Sequence, residues 1–353
     1  MIFPSKNILG LDIGTSTIKI AELSSSRSKV TLNRFSIMST PIESVASAEF
    51  TEVFPISEVI MEMLKELKSK RKQVCIGLFG PSIVVKKISI PEMDHSLVAE
   101  QIRWEAEQYI PFELSEVNVD FHILNNSTVG PGSMDVLLIA SRHHQIVKMV
   151  EIAESSSLTC SHLDVSGFAL ANCYFNNYTP NNATVTALLN IGANFTNFVV
   201  VKGEDVIFCR DIPIGGIMYT AEIQKVMNVD FDEAEALKLN VDVGGGVPSE
   251  LSQALEGAHE LVCDEIQGSF EFFSNTANGL SIQSCYITGG ASRTPGLLEY
   301  LSRSLGIGTV ETMDPFNKIH VNSKFIGSEF QSQIRDYAAV AIGLGLRKIG
   351  DTV

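Results

Sequence analysis

The sequence predicts an α/β protein built from two similar lobes. A polar, glycine-containing turn joins two apolar strands within residues 8–23, and the same pattern returns within residues 185–201. In both halves a third strand and then helical segments follow the hairpin, which is typical of a mixed sheet covered by helices. An internal duplication of this kind indicates two lobes that each present one polar turn.

The residues of the two turns occupy matching positions. Asp12 and Gly14 follow the first apolar strand, and Asn190 and Gly192 follow the corresponding strand of the second hairpin. Glycine allows the backbone to approach a ligand closely, and the N–H groups of such a turn can surround a phosphate. An Asp-x-Gly turn of a β-sandwich looks similar, so one hairpin alone does not decide the fold.

Hydrophobic periodicity and turn residues predict the remaining elements. In the first half they are a strand at 30–37, a helix at 57–70, strands at 73–80 and 84–90, a helix at 96–109, strands at 117–124 and 134–140, and helices at 145–155 and 165–174. In the second half they are a strand at 205–211, helices at 219–227 and from Asp232, a turn at 244–246, a long helix at 249–276, a strand at 284–288, and helices at 296–306 and 337–347. The small residues of the last helix predict close packing against a neighbour.

The segment 84–140 is predicted to form a small β-α-β-β subdomain inserted into the first lobe. Its last two strands are joined by a Gly-Pro-Gly loop at 130–132, and its helix carries the only tryptophan, Trp104. Trp104, Tyr109 and Phe112 are either anchors for a bound peptide or the core of the subdomain itself.

These elements and the polar loop near residue 180 predict the organisation of the whole chain. Its parts are a first-lobe core at 1–83, the inserted subdomain at 84–140, connecting helices of the first lobe at 141–180, a second lobe at 181–335, and a C-terminal helix at 336–353 that returns to the first lobe.

Length and composition agree with a two-lobed globular protein. The chain has 353 residues, of which 45% are hydrophobic and 19% charged, and that length exceeds one ordinary core. The net charge of −15 disfavours binding to nucleic acid and to anionic lipid. The one dense basic stretch, from Lys65 to Lys72, is interpreted as the solvated end of a helix.

Six cysteines are scattered without the spacing of a zinc site, which predicts free thiols in a reducing compartment. The N-terminus lacks a signal-peptide pattern, and no apolar stretch reaches the roughly 18 residues of a membrane span. We therefore expect a soluble, cytosolic protein with no direct insertion into a membrane.

A third glycine motif completes the pattern. Gly289 and Gly290 end a strand, and two helices separate them from the second hairpin. A glycine pair at a strand end lets a flat base lie against the backbone. The order of the three motifs resembles that of the actin-like ATPase superfamily, whose fold has two duplicated, ribonuclease H-like lobes.

Within this superfamily the sequence is most similar to the PilM family of type IV pilus assembly and next to FtsA-like division proteins. The similarity is carried by residues 9–19, by residues 102–112, and by Gly215-Gly216 followed by residues 234–238. The second of these stretches resembles the signature of the FtsA/PilM-type inserted subdomain. The resemblance covers essentially the whole chain.

The resemblance implies a site for ATP and Mg²⁺ and assigns no catalytic residue. By that resemblance, the β- and γ-phosphates would be contacted by Gly14, Thr15, Ser16 and Lys19, and Mg²⁺ would be held through water by Asp12. The second phosphate loop would be formed by Asn190, Gly192 and Thr196. The phosphates and ribose would lie beside Gly215 and Gly216, the ribose and adenine near Glu235 and Lys238, and the base over Gly289 and Gly290. Glu235 and Lys238 also fit an ordinary exposed helical pair.

Asn190 departs from the superfamily, which usually has aspartate at this position. A neutral amide binds Mg²⁺ more weakly than a carboxylate and cannot act as a base toward water. We therefore expect ATP binding with slow or absent hydrolysis, so that the chain is at most a weak ATPase.

The resemblance also implies a function in pilus assembly and twitching motility, at the inner membrane, with attachment through partners. The implied partner is the short cytoplasmic N-terminal tail of a PilN-type membrane protein, bound beside the inserted subdomain. Pilus motor ATPases and a second copy of the chain are further candidate partners.

Two alternative functions stay open. An FtsA-like division ATPase is disfavoured because the chain ends six residues past Arg347 without an amphipathic membrane-binding helix. A sugar or acetate kinase of the same superfamily is disfavoured because no acid in a convincing place would activate a substrate hydroxyl.

Overall fold

The computed structural model describes residues 7–26, 29–46, 49–125, 132–239, 248–277 and 279–350. The turn predicted at 244–246 and the first two residues of the Gly-Pro-Gly loop lie outside the described residues. The strands are β1 Leu9–Ile13, β2 Thr17–Ser26, β3 Lys29–Ser39, β4 Val45–Ala46, β5 Glu49–Phe50, β6 Gln73–Leu78, β7 Ile83–Pro91, β8 Val117–Ile123, β9 Ser133–Arg142, β10 Thr159–Val165, β11 Val185–Ile191, β12 Thr196–Lys202, β13 Asp205–Ile212, β14 Ser284–Thr288, β15 Thr309–Thr312 and β16 His320–Val321. The helices are α1 Phe54–Leu67, α2 His95–Tyr109, α3 His143–Ser155, α4 Ser166–Asn177, α5 Gly216–Met227, α6 Phe231–Leu239, α7 Ser249–Thr276, α8 Leu297–Ser304, α9 Ser328–Ile334 and α10 Ala339–Gly345.

The two large sheets repeat one topology. The first has the order β10-β6-β1-β2-β3-β16, and the second has the order β13-β12-β11-β14-β15. In each, the central strand (β1 or β11) pairs antiparallel with the strand of its hairpin and parallel with a strand that follows a helical segment. We call the parts built on these sheets the first and second lobe. The duplication predicted from the two hairpins therefore extends to five strands of each sheet.

Helix α10 packs closely against the first lobe, as its small residues predict. A methyl group added at Gly343 would lie 1.7 Å from the carbonyl oxygen of Ala169 in α4. One added at Gly10 of β1 would lie 2.0 Å from the carbonyl oxygen of Ala341. Side chains at these glycines would separate the helix from the sheet, so the backbones touch because neither residue has one.

The inserted segment forms a three-stranded sheet of order β7-β9-β8, covered on one face by α2. Val98, Ile102 and Ala106 of α2 are buried against it because they share one helical face. Trp104 lies on the opposite side of the helix and is 70% exposed. The interpretation of Trp104 as part of the core of this subdomain is therefore wrong.

The inserted sheet also contacts the second lobe. The backbone N–H and the side-chain amide of Asn125 both donate to Oδ1 of Asp205 in β13, at 3.1 and 2.9 Å. Within the described part of the chain, no helix combines the length and apolar character needed to cross a membrane.

Candidate functional site

The first and second turns have the same backbone geometry. The N–H of Gly14 donates to the carbonyl of Thr17 at 3.0 Å, and the N–H of Gly192 donates to the carbonyl of Phe195 at 2.9 Å. A methyl group at Gly14 would lie 2.9 Å from the Thr17 oxygen, and one at Gly192 would lie 2.8 Å from the Phe195 oxygen. Both turns require glycine because they leave no space for a side chain.

An ion pair lies directly behind the first turn. Asp12 and Lys19 are opposite each other in the β1–β2 ladder, and Lys19 Nζ is 3.1 Å from Asp12 Oδ2. The ammonium group also lies next to Gly14, since a methyl group there would be 3.2 Å from Nζ. The first turn thus combines free approach to its backbone with a positive charge beside it.

The rest of the first turn is held by Thr40, the residue that follows β3. The hydroxyl of Thr40 donates to the carbonyl of Gly14 at 2.6 Å, and its N–H donates to the carbonyl of Ser16 at 2.9 Å. Ser16 itself is exposed at the tip of the turn. These bonds fix the turn while leaving its outer side accessible.

Two amides take the place of the ion pair behind the second turn. Asn190 and Asn197 are opposite each other in the β11–β12 ladder, and Asn190 Nδ2 donates to Asn197 Oδ1 at 2.7 Å. Asn197 Nδ2 in turn donates to Asp211 Oδ1 at 2.6 Å. The backbone N–H of Gly80, in the first lobe, donates to the other Asp211 oxygen at 2.6 Å.

Burial raises the pKa of Asp211 above its ordinary value, while the hydrogen bonds from Asn197 and Gly80 act in the opposite direction. One carboxylate oxygen of this side chain therefore accepts from Asn197 within the second lobe, and the other accepts from Gly80 of the first lobe. Asp211 is not placed to act on a ligand at the turn.

The two turns touch across the cleft between the lobes. Thr15 Oγ1 donates to Asn194 Oδ1 at 2.7 Å. Behind this contact the rings of Phe79 and Phe195 meet edge to face with their centroids 5.8 Å apart. The first and second turns therefore face one common space.

The second turn also caps α5. The N–H groups of Gly216 and Ile217 donate to the carbonyls of Gly192 and Ala193, each at 2.9 Å. A methyl group at Gly215 would lie 2.4 and 2.6 Å from those same two carbonyl oxygens. Gly215 and Gly216 thus hold the start of α5 against the turn, which removes two unpaired helix N–H groups.

Thr196 belongs to the support of this turn. Its hydroxyl is buried and donates to the carbonyl of Ile214 at 3.0 Å. The side chain is therefore engaged within the second lobe and does not face the first turn.

Glu235 and Lys238 are joined to α5 and do not form an isolated helical pair. Lys238 Nζ is 2.5 Å from Glu235 Oε1 and donates to Thr220 Oγ1 at 2.9 Å and to the Gly216 carbonyl at 3.2 Å. Thr220 also hydrogen-bonds to Glu235. The pair thus lies over the N-terminal end of α5, next to the second turn.

Gly289 and Gly290 bring β14 against the end of β11. Gly289 has φ +99°, and a methyl group there would lie 2.4 Å from the Ile191 carbonyl and 2.7 Å from Asn190 Oδ1. One at Gly290 would lie 2.7 Å from the ring of Tyr337. Glycine is needed at both positions, at the first also because other residues rarely adopt this φ.

A cavity of about 410 Å³ adjoins Tyr337. Thr17 and Ile37 line it from the first lobe, and Phe330 and Tyr337 line it from the second. A space of this size, partly aromatic and beside the first turn at Thr17, has the dimensions of small-molecule sites.

The structure adds three residues that sequence reasoning missed, namely Asn194, Asn197 and Asp211. The hairpin sequence contains the information needed to place the two amides, because a turn from Gly192 to Phe195 sets Asn190 opposite Asn197. Counting the register from the turn would have found the amide pair.

The arrangement suits a polyanion better than a metal cluster. Two glycine turns, an ammonium group and an amide converge on one space, which is the donor set of phosphate sites. The described residues contain no group of three or more His, Cys, Asp or Glu side chains that could hold a metal ion. Any divalent cation would depend on oxygen atoms of the ligand and on water.

Comparison with known proteins gives a family match over most of the chain. The family model of the type IV pilus assembly protein PilM matches residues 10–349. A chain in the solved PilM-PilN type IV pilus biogenesis complex is similar at 28% identity with a TM-score of 0.86, covering 98% of this chain and 99% of that one.

More distant solved structures share the fold alone. The ethanolamine utilization protein EutJ from Carboxydothermus hydrogenoformans has 14% identity and a TM-score of 0.57, with 98% of this chain and 90% of that one covered. MreB5 of Spiroplasma citri, solved with ADP, has 11% identity and a TM-score of 0.50, with 88% and 92% covered. The predicted actin-like ATPase fold is confirmed.

Proposed function

The chain belongs to the family of the type IV pilus assembly protein PilM, and from that premise we propose that it is an ATP-binding scaffold that captures the N-terminal tail of a PilN-type membrane protein. It would act in the cytoplasm and reach the inner membrane through that partner. The similarity to a solved chain at 28% identity supports this partner, because that chain is part of a PilM-PilN complex.

The observation that carries the nucleotide proposal is the contact between two glycine turns of similar backbone geometry from different lobes. Gly14 and Gly192 open their turns with the same hydrogen bond, and Thr15 and Asn194 join the turns directly. A phosphate chain between them would receive backbone N–H groups from both sides and the ammonium group of Lys19 from one.

The base and ribose would lie on the second lobe. Gly290 is half-buried beside the end of β14, and the pair of Glu235 and Lys238 lies over the N-terminal end of α5. The Glu235 carboxylate suits a ribose hydroxyl, and the backbone of Gly290, which carries no side chain, suits a flat base. A purine nucleoside triphosphate would thus extend from this lobe toward the first turn.

Slow hydrolysis is expected because, among the described residues, none of the nearby acidic side chains is free to activate a water molecule. The Asp12 carboxylate is paired with Lys19, and Asn190 is neutral. Both oxygens of Asp211 accept hydrogen bonds from other residues. Each of these groups is thus a poor general base, since a base needs a free lone pair directed at the attacking water.

Mg²⁺ fits this site as an ion held by the nucleotide. Asp12 would contribute through water, because its carboxylate is shared with Lys19 at 3.1 Å. When bound, Mg²⁺ would neutralise phosphate charge. The residues of the chain would orient the phosphates.

The tail proposal rests on an exposed apolar stripe along α2 of the inserted subdomain. Leu97 is 52% exposed and Trp104, two helical turns later, is 70% exposed. Exposed tryptophan is unusual on a free surface and common in interfaces. At the other end of the subdomain the Arg142 guanidinium lies 4.0 Å from the centre of the Phe112 ring.

The nucleotide part is tested by equilibrium titration of the purified full chain with ATP and Mg²⁺, followed by a turnover assay. We expect binding, with turnover that rises at least about tenfold in Asn190→Asp, since general-base catalysis contributes that much or more. Rapid turnover by the unaltered chain, left unchanged by Asn190→Ala, would contradict slow hydrolysis.

The tail part is tested with synthetic peptides of the cytoplasmic N-termini of inner-membrane pilus proteins, with and without Mg-ATP. We expect Trp104→Ala to weaken peptide binding at least about tenfold, the loss of one aromatic anchor. Phe54→Ala is the matched control, because Phe54 is 66% exposed on α1 of the first lobe. No binding by the unaltered chain in either state would remove the tail proposal.

A further inference from the structure

One side-chain hydrogen bond joins the two phosphate turns. Thr15 Oγ1 donates to Asn194 Oδ1 at 2.7 Å, across 179 positions of sequence. Both side chains are half-buried. Each turn is held by its own lobe as well, the first by Thr40 and the second through its contact with α5.

The chemistry of this bond fixes the orientation of the amide. A carboxamide accepts through Oδ1 and donates through Nδ2. Because the Thr15 hydroxyl is the donor, Oδ1 of Asn194 is committed to the first turn. Among the described residues no acceptor takes a hydrogen bond from Asn194 Nδ2. The donating end of the amide is therefore available to an anion at the meeting point of the two turns.

We propose that Asn194 is the residue that recognises the terminal phosphate of the bound nucleotide, and that Thr15 is a positioning residue that holds Asn194 in the donating orientation. This inference rests on the proposed function. The proposed supports for base and ribose, at Gly290 and at the Glu235–Lys238 pair, lie on the second lobe. A phosphate chain that starts there and reaches both turns ends where Thr15 and Asn194 meet.

The inference separates triphosphate from diphosphate binding. A nucleoside diphosphate lacks the group that would reach Asn194 Nδ2, so its affinity should depend little on that amide. A hydrogen bond from an amide to a charged phosphate corresponds to roughly a tenfold change in affinity. Aspartate at the same position would keep the acceptor for Thr15 but replace the donor with a negative charge.

The experiment measures the dissociation constants of ATP and ADP for the full chain by competition against a fluorescent nucleotide. For Asn194→Ala we expect ATP affinity to fall about tenfold and ADP affinity to change less than about twofold. For Asn194→Asp the loss for ATP should reach about a hundredfold, because like charges are brought together.

Variants of Thr15 test the positioning role. Thr15→Val removes the donor and should lower the ATP-to-ADP affinity ratio nearly as much as Asn194→Ala, whereas Thr15→Ser keeps the hydroxyl and should restore the ratio. Asn33→Ala is a matched control, because this amide donates to Ser24 between β2 and β3, away from both turns. The ATP-to-ADP affinity ratio of Asn33→Ala should equal that of the unaltered chain. Thermal melting checks that each variant is folded.

The outcomes are distinguishable. If the unaltered chain binds both nucleotides and the ratio does not change in Asn194→Ala and Asn194→Asp, the inference is wrong while the proposed function stands. If the unaltered chain binds neither nucleotide, the proposed function fails and the inference fails with it.

Discussion

The residues behind the first turn and those behind the second turn occupy the same register in their sheets but differ in charge. In the first lobe the row across β1, β2 and β3 is Asp12, Lys19 and Ile37. In the second lobe the row across β11, β12 and β13 is Asn190, Asn197 and Asp211.

The difference lies in where each row places its charges. The first row has its acid and its ammonium directly at the turn, where both can act on a ligand. The second row has neutral amides at the turn and its acid two strands away, where Asp211 binds Gly80 of the other lobe. The two lobes therefore share one backbone arrangement but differ in the side chains behind the turn. The first row suits recognition of a charged ligand, and the second row connects the lobes.

The largest expected effect comes from removing the cation of the first row. Lys19→Met should weaken ATP binding at least about a hundredfold, because a charge-assisted contact is lost and the Asp12 charge is left facing the phosphates. Titration with a fluorescent ATP analogue measures it.

The matched variant for Lys19 is Asn197→Leu, at the equivalent register of the second lobe. It should weaken ATP binding less than about tenfold, because a neutral amide behind the turn supplies no charge to the ligand. Equal losses in the two variants would show that the charge difference between the rows does not matter for binding.

A second pair of variants tests the likeness of the turns. Gly14→Ala and Gly192→Ala should each lower the free energy of unfolding by about 1–3 kcal/mol, because the added methyl group meets a carbonyl oxygen in both turns. The distances that would result, 2.9 and 2.8 Å, are nearly equal. Urea unfolding gives the two values, and a large effect in one variant with none in the other would contradict the equivalence of the turns.

Much of this comparison was predictable from the sequence because strong local patterns encode it. The two hairpins have long apolar arms and a fixed turn, so their position and the matching of Asp12 with Asn190 follow from periodicity alone. The fold of two duplicated lobes was predicted for the same reason.

Other parts have weak local signals. β10 was not predicted, because the short segment Thr159–Val165 mixes polar and apolar residues at the edge of the first sheet, and its parallel pairing with β6 is a long-range contact. The exposure of Trp104 was also not decided, since a helix in an unknown orientation does not show which side faces its sheet. The bond between Thr15 and Asn194 depends on how the lobes meet, which no local pattern contains.

Asn190→Asp tests whether the second row can accommodate a second carboxylate beside Asp211. The new carboxylate would face Asn197, whose own Nδ2 already serves Asp211, so two acids would compete for one amide. We expect the free energy of unfolding to fall by about 1–2 kcal/mol at pH 7.5, since a half-buried carboxylate without a donor is costly.

The pH dependence of this penalty has a definite sign. Burial raises the pKa of Asp211, and a second buried acid nearby would raise both pKa values further. The folded variant would then bind protons more readily than the unfolded chain, so its deficit relative to the unaltered chain should shrink as pH falls from 7.5 to 5. A deficit that grows over this range in thermal melts would show that the two acids do not interact.

The smallest expected effect concerns a support that the structure shows for the second turn. His259 of α7 accepts the Tyr219 hydroxyl at Nδ1 (2.9 Å) and donates from Nε2 to the Pro295 carbonyl (3.0 Å), which links α5 to the segment after Gly290. Burial lowers the pKa of this imidazole, although its bond to Pro295 and the charges of Glu256 and Glu299 oppose the shift.

Because the folded-state pKa of His259 lies below the unfolded value, the unfolded chain binds the proton more readily once the pH falls below about 6.5. Through this residue, stability should therefore decrease on acidification from pH 7 to 5. In His259→Gln, which has no titrating ring, the melting temperature should fall less over the same range than in the unaltered chain. If the melting temperatures of the two proteins fall equally with pH, protonation of His259 does not weaken the link between α5 and the Gly289–Gly290 segment. The second turn would then depend on its amide row alone.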